Sequence, residues 1–372
     1  MPKKNIILFS NTSWSLYNFR TDLINELIPL GYNIILVSRK GKEIASLTKM
    51  GCKFIELNIR SHGINIFIDF FHLLKIIYLL QKYKPIAILT YTIKPNIYGA
   101  IACNIMGTKQ IANITGIGRF LKVNFLIKNL IYLLYRYSFK NIFHVFFQNE
   151  NDKNFFINNK IIKEEQCTRI YGSGINLNIF KKSSLLKNKP FSFLMASRIL
   201  KDKGVIEFIE AAKQVKKKYP NVIFKLAGDI DNKDKNSIKL KELRNLCLSS
   251  GVIYLGHISS IKQEIIETNC IVHPSYYNEG CPRILIESAA IGRILITTDW
   301  PGCRDTVVES YNGYLCKPKD ISSLEKAMIK TLKLSKNEIT KMCHNSNQYA
   351  IRLFDVKVIN KLYFQQISKI KK

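Results

Sequence analysis

Short apolar runs alternate with longer amphipathic stretches along the first half of the chain. The first run is followed by a polar segment, Asn11–Tyr17, which predicts a loop, and by a helical pattern over Phe19–Leu30. Strand-like runs occur at Asn5–Ser10, Asn33–Ser38, Lys53–Leu57, Ile86–Tyr91, Lys109–Ile114 and His144–Gln148. Apolar strands that alternate with helices predict a parallel sheet covered on both faces.

The second half repeats this alternation. Its strand-like runs are Phe191–Ala196, Val222–Ala227, Val252–Leu255, Cys270–His273 and Ile294–Thr297. A lysine-rich stretch, Lys181–Pro190, predicts a linker between the halves. We therefore expect two Rossmann-like, doubly wound α/β domains facing a central cleft, residues 1–182 and 183–350. The tail, 351–372, holds a helix at about Val356–Ile370 that is a candidate to cross back to the first domain.

One apolar segment, Ile64–Leu80, is nearly long enough to span a bilayer. It contains Asp69, His72 and Lys75, and a further strand-like run follows soon after it. The segment therefore predicts a buried or membrane-surface helix rather than a span. Near the start of the chain, Ile6–Phe9 is too short for the apolar region of a signal peptide and predicts a strand.

Basic residues outnumber acidic ones by 57 to 27, which gives a formal charge of +30. From Leu57 to Asn149 the only acid is Asp69, against eleven Lys and Arg. Such a surface attracts phosphorylated ligands, anionic lipid or nucleic acid. A lysine-rich, AT-biased genome is the alternative explanation. No nucleic-acid motif is present, so a nucleic-acid-binding protein is the weaker interpretation and no nucleic-acid partner is expected.

The cysteines and histidines predict no metal site. Nine cysteines are scattered without a C-x-x-C pair, and six histidines lack metal-ligand spacing. Scattered thiols in a long chain are typical of a reducing cytosol rather than of a disulfide framework.

The most specific constellation is Tyr276–Glu287, with the letters YYNEGCPRILIE. Gly280 allows close approach of a ligand, and Pro282 suits the first position of a helix whose free N–H groups would face a diphosphate. Glu287 lies inside that helix, where it would accept hydrogen bonds from a ribose, and Glu279 lies at its mouth, where a sugar would sit. The alternative is two ordinary surface acids. Cys281 and Arg283 complete the candidate binding loop.

This string resembles the E-x7-E motif of family 4 of the GT-B glycosyltransferases. Ser197–Gly204 (SRILKDKG) resembles that family's R…K-G loop, and GSGINLNIF (172–180) and TDWPGCRDTVVE (298–309) resemble further family passages. The resemblance implies that Arg198 and Lys203 bind the donor diphosphate, where fixed cations stabilise the leaving charge. The alternative for both is a solvated loop in a lysine-rich chain.

The first domain is expected to hold the acceptor. Its loops YTIKPNIYG (91–99) and NITGIGRF (113–120), and the string NTSWSLYNFR (11–20), resemble the subgroup that extends polyprenyl-diphosphate-linked saccharides. The candidate acceptor-binding residues are Arg20, Lys94, Asn96, Gly116 and Arg119. Lys94 stands where many relatives carry His. A plain surface lysine is the alternative for Lys94, and a helix-surface arginine is the alternative for Arg20.

Phe120–Tyr137 interleaves large apolar residues with Lys122, Lys128 and Arg136. This pattern favours a helix lying in a lipid interface, with a core helix as the alternative. We therefore expect a peripheral protein at the cytoplasmic face of a bacterial inner membrane, which its basic and aromatic first domain contacts.

The resemblance implies a retaining, metal-independent hexosyltransferase without a cofactor. Its expected partners are a UDP-sugar, as donor substrate, and an undecaprenyl-diphosphate-linked saccharide of O-antigen, capsule or glycoprotein glycan assembly. Glu279, Arg198 and Lys203 would act in transfer, while the helix with Glu287 would bind the nucleotide. The subgroup favours an N-acetylhexosamine such as GalNAc, with galactose or glucose as alternatives. The rival two-domain enzyme, a nucleotide-sugar epimerase, would share the cleft but should lack the pair formed by SRILKDKG and the E-x7-E motif.

Overall fold

The computed structural model describes residues 4–59, 66–118, 125–185 and 189–370. The chain forms two compact units. The first runs to Gly174 and resumes at Val356, and the second is Ile175–Asp355.

The first unit is built on a seven-stranded parallel sheet of order β3-β2-β1-β4-β5-β6-β7. Its strands are β1 (Lys4–Thr12), β2 (Tyr32–Arg39), β3 (Lys53–Glu56), β4 (Ala87–Tyr91), β5 (Lys109–Ile114), β6 (His144–Phe147) and β7 (Cys167–Arg169). Its helices are α1 (Ser13–Leu27), α2 (Ile44–Lys49), α3 (Ile66–Tyr83), α4 (Ile93–Met106), α5 (Phe125–Ser138), α6 (Glu150–Asn158) and α13 (Val356–Ile370). Strand order reverses between β1 and β4, the place where doubly wound sheets bind ligands.

The predicted loop after the first strand is wrong, because α1 begins directly at the end of β1. The Thr12 hydroxyl caps the helix by accepting a hydrogen bond from the Ser15 N–H at 3.2 Å. Polar Ser and Thr residues suit a helix N-terminus as well as a loop, so polarity alone was misleading.

Helix α13 belongs to the core of the first unit. Ile359, Tyr363 and Ile367 pack among residues of the first sheet and α1. The Tyr363 hydroxyl accepts a hydrogen bond from Asn113 at 2.7 Å, and its ring centroid lies 4.5 Å from that of Phe146. Residues more than two hundred positions apart are thereby joined in one unit.

The second unit is built on a six-stranded parallel sheet of order β10-β9-β8-β11-β12-β13. Its strands are β8 (Ser192–Ala196), β9 (Ile223–Ala227), β10 (Val252–Gly256), β11 (Cys270–His273), β12 (Ile294–Thr298) and β13 (Gly313–Cys316). Its helices are α7 (Val205–Lys218), α8 (Leu240–Ser250), α9 (Lys262–Ile266), α10 (Arg283–Ile291), α11 (Ile321–Leu332) and α12 (Lys336–Leu353). Here strand order reverses between β8 and β11, so the loops that follow these two strands are neighbours.

The division between the units falls at Gly174, eight residues before the position that the lysine-rich stretch indicated. The described start of that stretch is bound to the second unit. Ser183 donates its N–H to the Ile291 carbonyl at 3.0 Å, and the fully buried Arg293 guanidinium donates to the carbonyls of Ser183 and Ser184. Composition predicted a linker, whereas backbone hydrogen bonds place these residues in a domain.

Within the described residues, no helix is long and apolar enough to cross a membrane.

Candidate active site

The two motifs of the second unit meet at the switch point of its sheet. The loop after β8 carries Arg198 and Lys203, and the loop after β11 carries Glu279. Gly204 has a φ of +80°, and a Cβ there would collide with the Pro274 carbonyl. The Tyr276 N–H also donates to the Asp202 carbonyl at 3.0 Å. Direct backbone packing therefore fixes the two loops against each other.

Glu279 is the centre of a buried polar cluster. The Lys203 ammonium donates to its Oε2 at 2.7 Å, and the Ser275 hydroxyl donates to its Oε1 at 2.7 Å. His273 Nε2 lies 3.1 Å from the same Oε1. Burial of the Glu279 carboxyl favours its neutral form, but the charge of Lys203 and the hydrogen bond from His273 outweigh burial and hold its pKa well below the usual range. Glu279 is therefore a carboxylate throughout the physiological range.

Tyr277 lies beside both predicted cations. The Lys203 Nζ is 4.9 Å, and the Arg198 guanidinium carbon 6.0 Å, from the centroid of its ring. Lys203 is buried and already pairs with Glu279, whereas Arg198 is exposed near the start of the same loop. The structure thus brings the two predicted diphosphate-binding cations to one place with different degrees of exposure.

Helix α10 follows this loop. Pro282 is its N-cap residue, one position earlier than predicted, and Arg283 begins the helix. Glu287 is buried and accepts a hydrogen bond from Arg283 Nε at 2.7 Å. Burial raises the pKa of Glu287, although the Arg283 charge opposes the rise. The predicted nucleotide-binding acid therefore already has a cation partner one turn away.

Gly280 and Cys281 complete the loop before α10. Gly280 is buried, and a Cβ on Gly302 (φ +82°), in the loop after β12, would collide with the Gly280 carbonyl. Cys281 is a half-buried cysteine. Three adjacent loops, those after β8, β11 and β12, thus pack backbone to backbone around Glu279.

His273 and Ser275 are residues of the Glu279 cluster that the sequence pattern did not predict, because the spacing of the histidines was compared only with that of metal ligands. Their position at the end of a predicted strand, immediately before the motif, was the available signal. Metal-ligating atoms of His273, Glu279 and Cys303 lie within 4.8 Å of one another. The donor set fits a divalent cation poorly, because Lys203 occupies the carboxylate and burial raises the pKa of the Cys303 thiol far above its usual value.

In the first unit, Lys94 and Asn96 follow β4 at the other switch point. Lys94 Nζ lies 2.9 Å from Asp69 Oδ1 on α3, in a pair that is largely buried. The Asn96 side chain is 1% exposed, accepts from Thr90 at 2.7 Å and donates to the Asn113 carbonyl at 3.1 Å. The structure contradicts a surface position for Lys94, and the bonds of Asn96 indicate that it holds the loop together. The acceptor roles of both stay predictions.

Arg20 is also buried. Its guanidinium carbon lies 4.0 Å from the Tyr91 ring centroid and 5.9 Å from that of Tyr363. The alternative of a helix-surface arginine is therefore wrong. Gly116 has a φ of +105° and lines a small cavity with Thr92 and Asn96. Arg119 lies outside the described residues, as do the first residues of the predicted interfacial helix 120–137.

Comparisons with known proteins agree with this architecture. Residues 178–352 match the model of glycosyl transferases group 1, and residues 5–149 match the model of glycosyl transferase 4-like domains. Over 384 aligned residues the chain is 28% identical to the N,N'-diacetylbacillosaminyl-diphospho-undecaprenol alpha-1,3-N-acetylgalactosaminyltransferase of Campylobacter jejuni, covering 97% of each chain.

Two solved structures show the same fold. A glycosyltransferase from Rickettsia africae superposes with a TM-score of 0.82 at 20% identity, covering 100% of each chain. Alr3699/HepE from Anabaena, in complex with UDP, superposes with a TM-score of 0.80 at 20% identity, covering 98% of this chain and 100% of the other.

The two parallel sheets and these structural neighbours define the GT-B fold. The chain belongs to the group 1 glycosyltransferases, family 4 of the GT-B class. The predictions of two Rossmann-like domains and of this family are confirmed.

Proposed function

We propose that the protein transfers an N-acetylhexosamine, such as GalNAc, from a UDP-sugar to an undecaprenyl-diphosphate-linked saccharide with retention of configuration. The observation that carries the proposal is the meeting of Arg198, Lys203, Glu279 and the start of α10 at one switch point. The Campylobacter jejuni relative, similar over almost its whole length, supports the sugar and the lipid carrier.

In this proposal the second unit binds the donor. Arg198, Lys203 and the N-terminal N–H groups of α10 would contact the diphosphate, where positive charge stabilises the leaving group. Glu287 would accept hydrogen bonds from the ribose, while Arg283 donates to its Oε1 at 2.7 Å and opposes the effect of burial. Glu279 would contact the donor sugar as a carboxylate, since its pKa is held low.

Transfer would proceed on one face of the sugar. The bond from the anomeric carbon to the diphosphate oxygen breaks, and the acceptor oxygen forms its bond on the same side. The leaving diphosphate oxygen takes the acceptor proton, so that UDP carries it away. Arg198 and Lys203 supply the positive charge for the departing group, and this proposal includes neither a metal nor a cofactor.

Two helices of the first unit, α3 and α5, each pack against α4 and carry exposed apolar side chains, which are here together called the docking face. The residues of the docking face are Phe67, Phe70, Phe71, Leu74, Tyr78, Phe125, Leu126, Leu130, Leu133 and Tyr137, on α3 and α5. Phe67 is 80% exposed and Leu126 73%. Exposed bases on the same helices, Lys75 and Arg136 among them, add positive charge. Asp69, the one acid from Leu57 to Asn149, points inward to Lys94.

Aromatic and aliphatic side chains with bases suit the interface of an anionic bilayer. We therefore place the protein peripherally at the cytoplasmic face of a bacterial inner membrane, where the docking face would bring the first unit to a lipid-linked acceptor. Nucleic acid would match the charge but leave the apolar side chains without a partner.

A donor screen tests the reaction. The purified protein, with undecaprenyl-diphosphate saccharides in detergent micelles and without added metal, is offered UDP-GalNAc, UDP-GlcNAc, UDP-Gal and UDP-Glc. We expect acceptor-dependent release of UDP, most rapid with an N-acetylhexosamine donor. Preference for UDP-Gal or UDP-Glc would correct the identity of the sugar. The absence of UDP release with every one of these donors would overturn the proposal.

A further inference from the structure

We propose that His273 is a positioning residue for Glu279: a neutral imidazole, protonated at Nε2, holds the carboxylate in the orientation in which it meets the donor sugar. This inference rests on the proposed function of Glu279.

The contacts of Glu279 divide between its two oxygens. Lys203 donates to Oε2 at 2.7 Å, while Ser275 and His273 lie 2.7 and 3.1 Å from Oε1. Lys203 supplies the charge that keeps the group ionised. Ser275 is a buried loop residue whose hydroxyl also accepts a hydrogen bond from the Tyr277 N–H at 3.3 Å, whereas His273 belongs to a strand. The ring therefore supports Oε1 from a regular element.

The surroundings fix the ring of His273. It is the last residue of β11 and 2% exposed. Its carbonyl accepts a hydrogen bond from the Thr297 hydroxyl at 2.7 Å, and it pairs with Thr297 in the sheet. Backbone pairing of His273 with Thr297 and the hydrogen bond from the Thr297 hydroxyl limit movement of this end of the strand, so Glu279 is held by a regular element as well as by Ser275 of its own loop.

Hydrogen bonding selects the tautomer. Among the described residues, His273 Nδ1 is buried and has no hydrogen-bond partner. A proton on Nδ1 would be a buried donor without an acceptor, which is unfavourable. A bare Nε2 would face the carboxylate oxygen with a lone pair. The arrangement that avoids both is the neutral ring with its proton on Nε2, donating to Glu279.

The test compares H273L with H273Q, because the glutamine amide nitrogen reaches about as far as Nε2 and donates as it does. We expect H273L to lower kcat up to about 100-fold, as for a misplaced group in an active site, and H273Q to recover most of the loss. UDP lacks the sugar, so its affinity, measured by calorimetry, should change less than about twofold in either variant. C270A, at the first residue of β11 and fully buried, is the packing control and should keep its kcat.

Three results would overturn the inference: an H273L variant with wild-type kcat, an H273Q variant as slow as H273L, or UDP affinity that falls in parallel with kcat. The tautomer is checked without turnover by ¹⁵N NMR of the wild-type imidazole, which should show a protonated Nε2 and a bare Nδ1. Wild-type protein that shows this tautomer but turns over no donor would refute the proposed function and with it the role of His273, while leaving the hydrogen bond intact. The opposite tautomer, in an enzyme that transfers sugar, would refute the inference alone.

Discussion

The Lys203 ammonium lies 2.7 Å from the Glu279 carboxylate, and this buried ion pair joins the loop after β8 to the loop after β11. Neither residue is near the other in sequence. The pair therefore depends on the strand order, which makes β8 and β11 neighbours. It places one charge of each sign at the position where a nucleotide-sugar would bring its diphosphate and its sugar.

Removal of the Lys203 charge should destabilise the protein in a pH-dependent way. Because the folded pKa of Glu279 is depressed below its ordinary 4.5, the pair contributes stability above that pH and loses it as pH falls toward the folded pKa. We expect K203M to lose about 3 kcal/mol at neutral pH, typical of a buried pair that loses one partner. Denaturant unfolding should show a smaller loss well below the ordinary glutamate pKa. An equal loss of stability at neutral pH and at the lower pH would contradict the coupling of the ion pair to the Glu279 pKa. The double variant K203M/E279Q should recover part of the stability.

Substitution of Glu287 should weaken donor binding. Hydrogen bonds to a charged group are worth about 1.5–3 kcal/mol, so E287Q should lower the affinity for UDP roughly 10- to 100-fold. Calorimetry with UDP measures the effect. E242Q, at an exposed glutamate of α8, is the matched control and should bind as the wild type does. Unchanged affinity in E287Q would remove Glu287 from the nucleotide site.

Charge placed on the docking face should abolish membrane binding. We expect F71E and L130E to bind phosphatidylglycerol vesicles at least about tenfold more weakly in sedimentation assays, because an acid opposes both insertion and lipid charge. L248E is the control, since Leu248 is an 81% exposed leucine of the second unit. Equal binding of all three variants, or equal binding to neutral vesicles, would show that the docking face has another use.

Arg293 should be essential for the stability of the second unit. Its guanidinium donates to the carbonyls of Ile265, Ile266, Gly292, Ser183 and Ser184, and it is fully buried. R293L would leave several buried acceptors without donors, so we expect a loss of at least about 3 kcal/mol in denaturant unfolding. R244L, at an exposed arginine, should lie within about 0.5 kcal/mol of the wild type. A similarly small effect of R293L would show that water replaces the guanidinium.

Ionisation of the buried Asp152 should lower the stability of the folded protein as pH rises. Burial raises its pKa from 3.8 to about 6, against hydrogen bonds from Asn149 and the Ile117 N–H. The folded state therefore holds a proton that the unfolded chain releases. As a result, the free energy of unfolding falls between about pH 4 and pH 6 and does not fall further on this account above pH 6. D152N retains one oxygen for Ile117. Relative to the wild type, the free energy of unfolding of D152N should rise by up to roughly 3 kcal/mol between acid and neutral pH, as measured by denaturant unfolding. A difference that is constant with pH would contradict the shift.

Patterns of apolar runs predicted most strands, because buried parallel strands are short, apolar and bounded by turns. They missed β7, whose three residues CTR are not an apolar run, and β13, which begins on a glycine, and they placed the start of α1 too late. Motifs predicted Arg198, Lys203, Glu279 and Glu287, since their spacing is local. Lys203 and Glu279 are 76 positions apart, and Lys94 and Asp69 are 25 apart, so these two contacts became visible only in the structure. His273 is six residues before Glu279, but the direction of its ring is set by the fold, so its contact with Glu279 was not predicted either.

The most direct test of the central claim follows the sugar itself. The wild type is incubated with a radiolabelled UDP-N-acetylhexosamine and an undecaprenyl-diphosphate saccharide, and the lipid product is extracted and its new linkage assigned by NMR. We expect label in the lipid fraction, joined through a linkage of the donor's own anomeric configuration, and little label with E287Q. Label that stays in the aqueous phase, or a linkage of inverted configuration, would contradict the account.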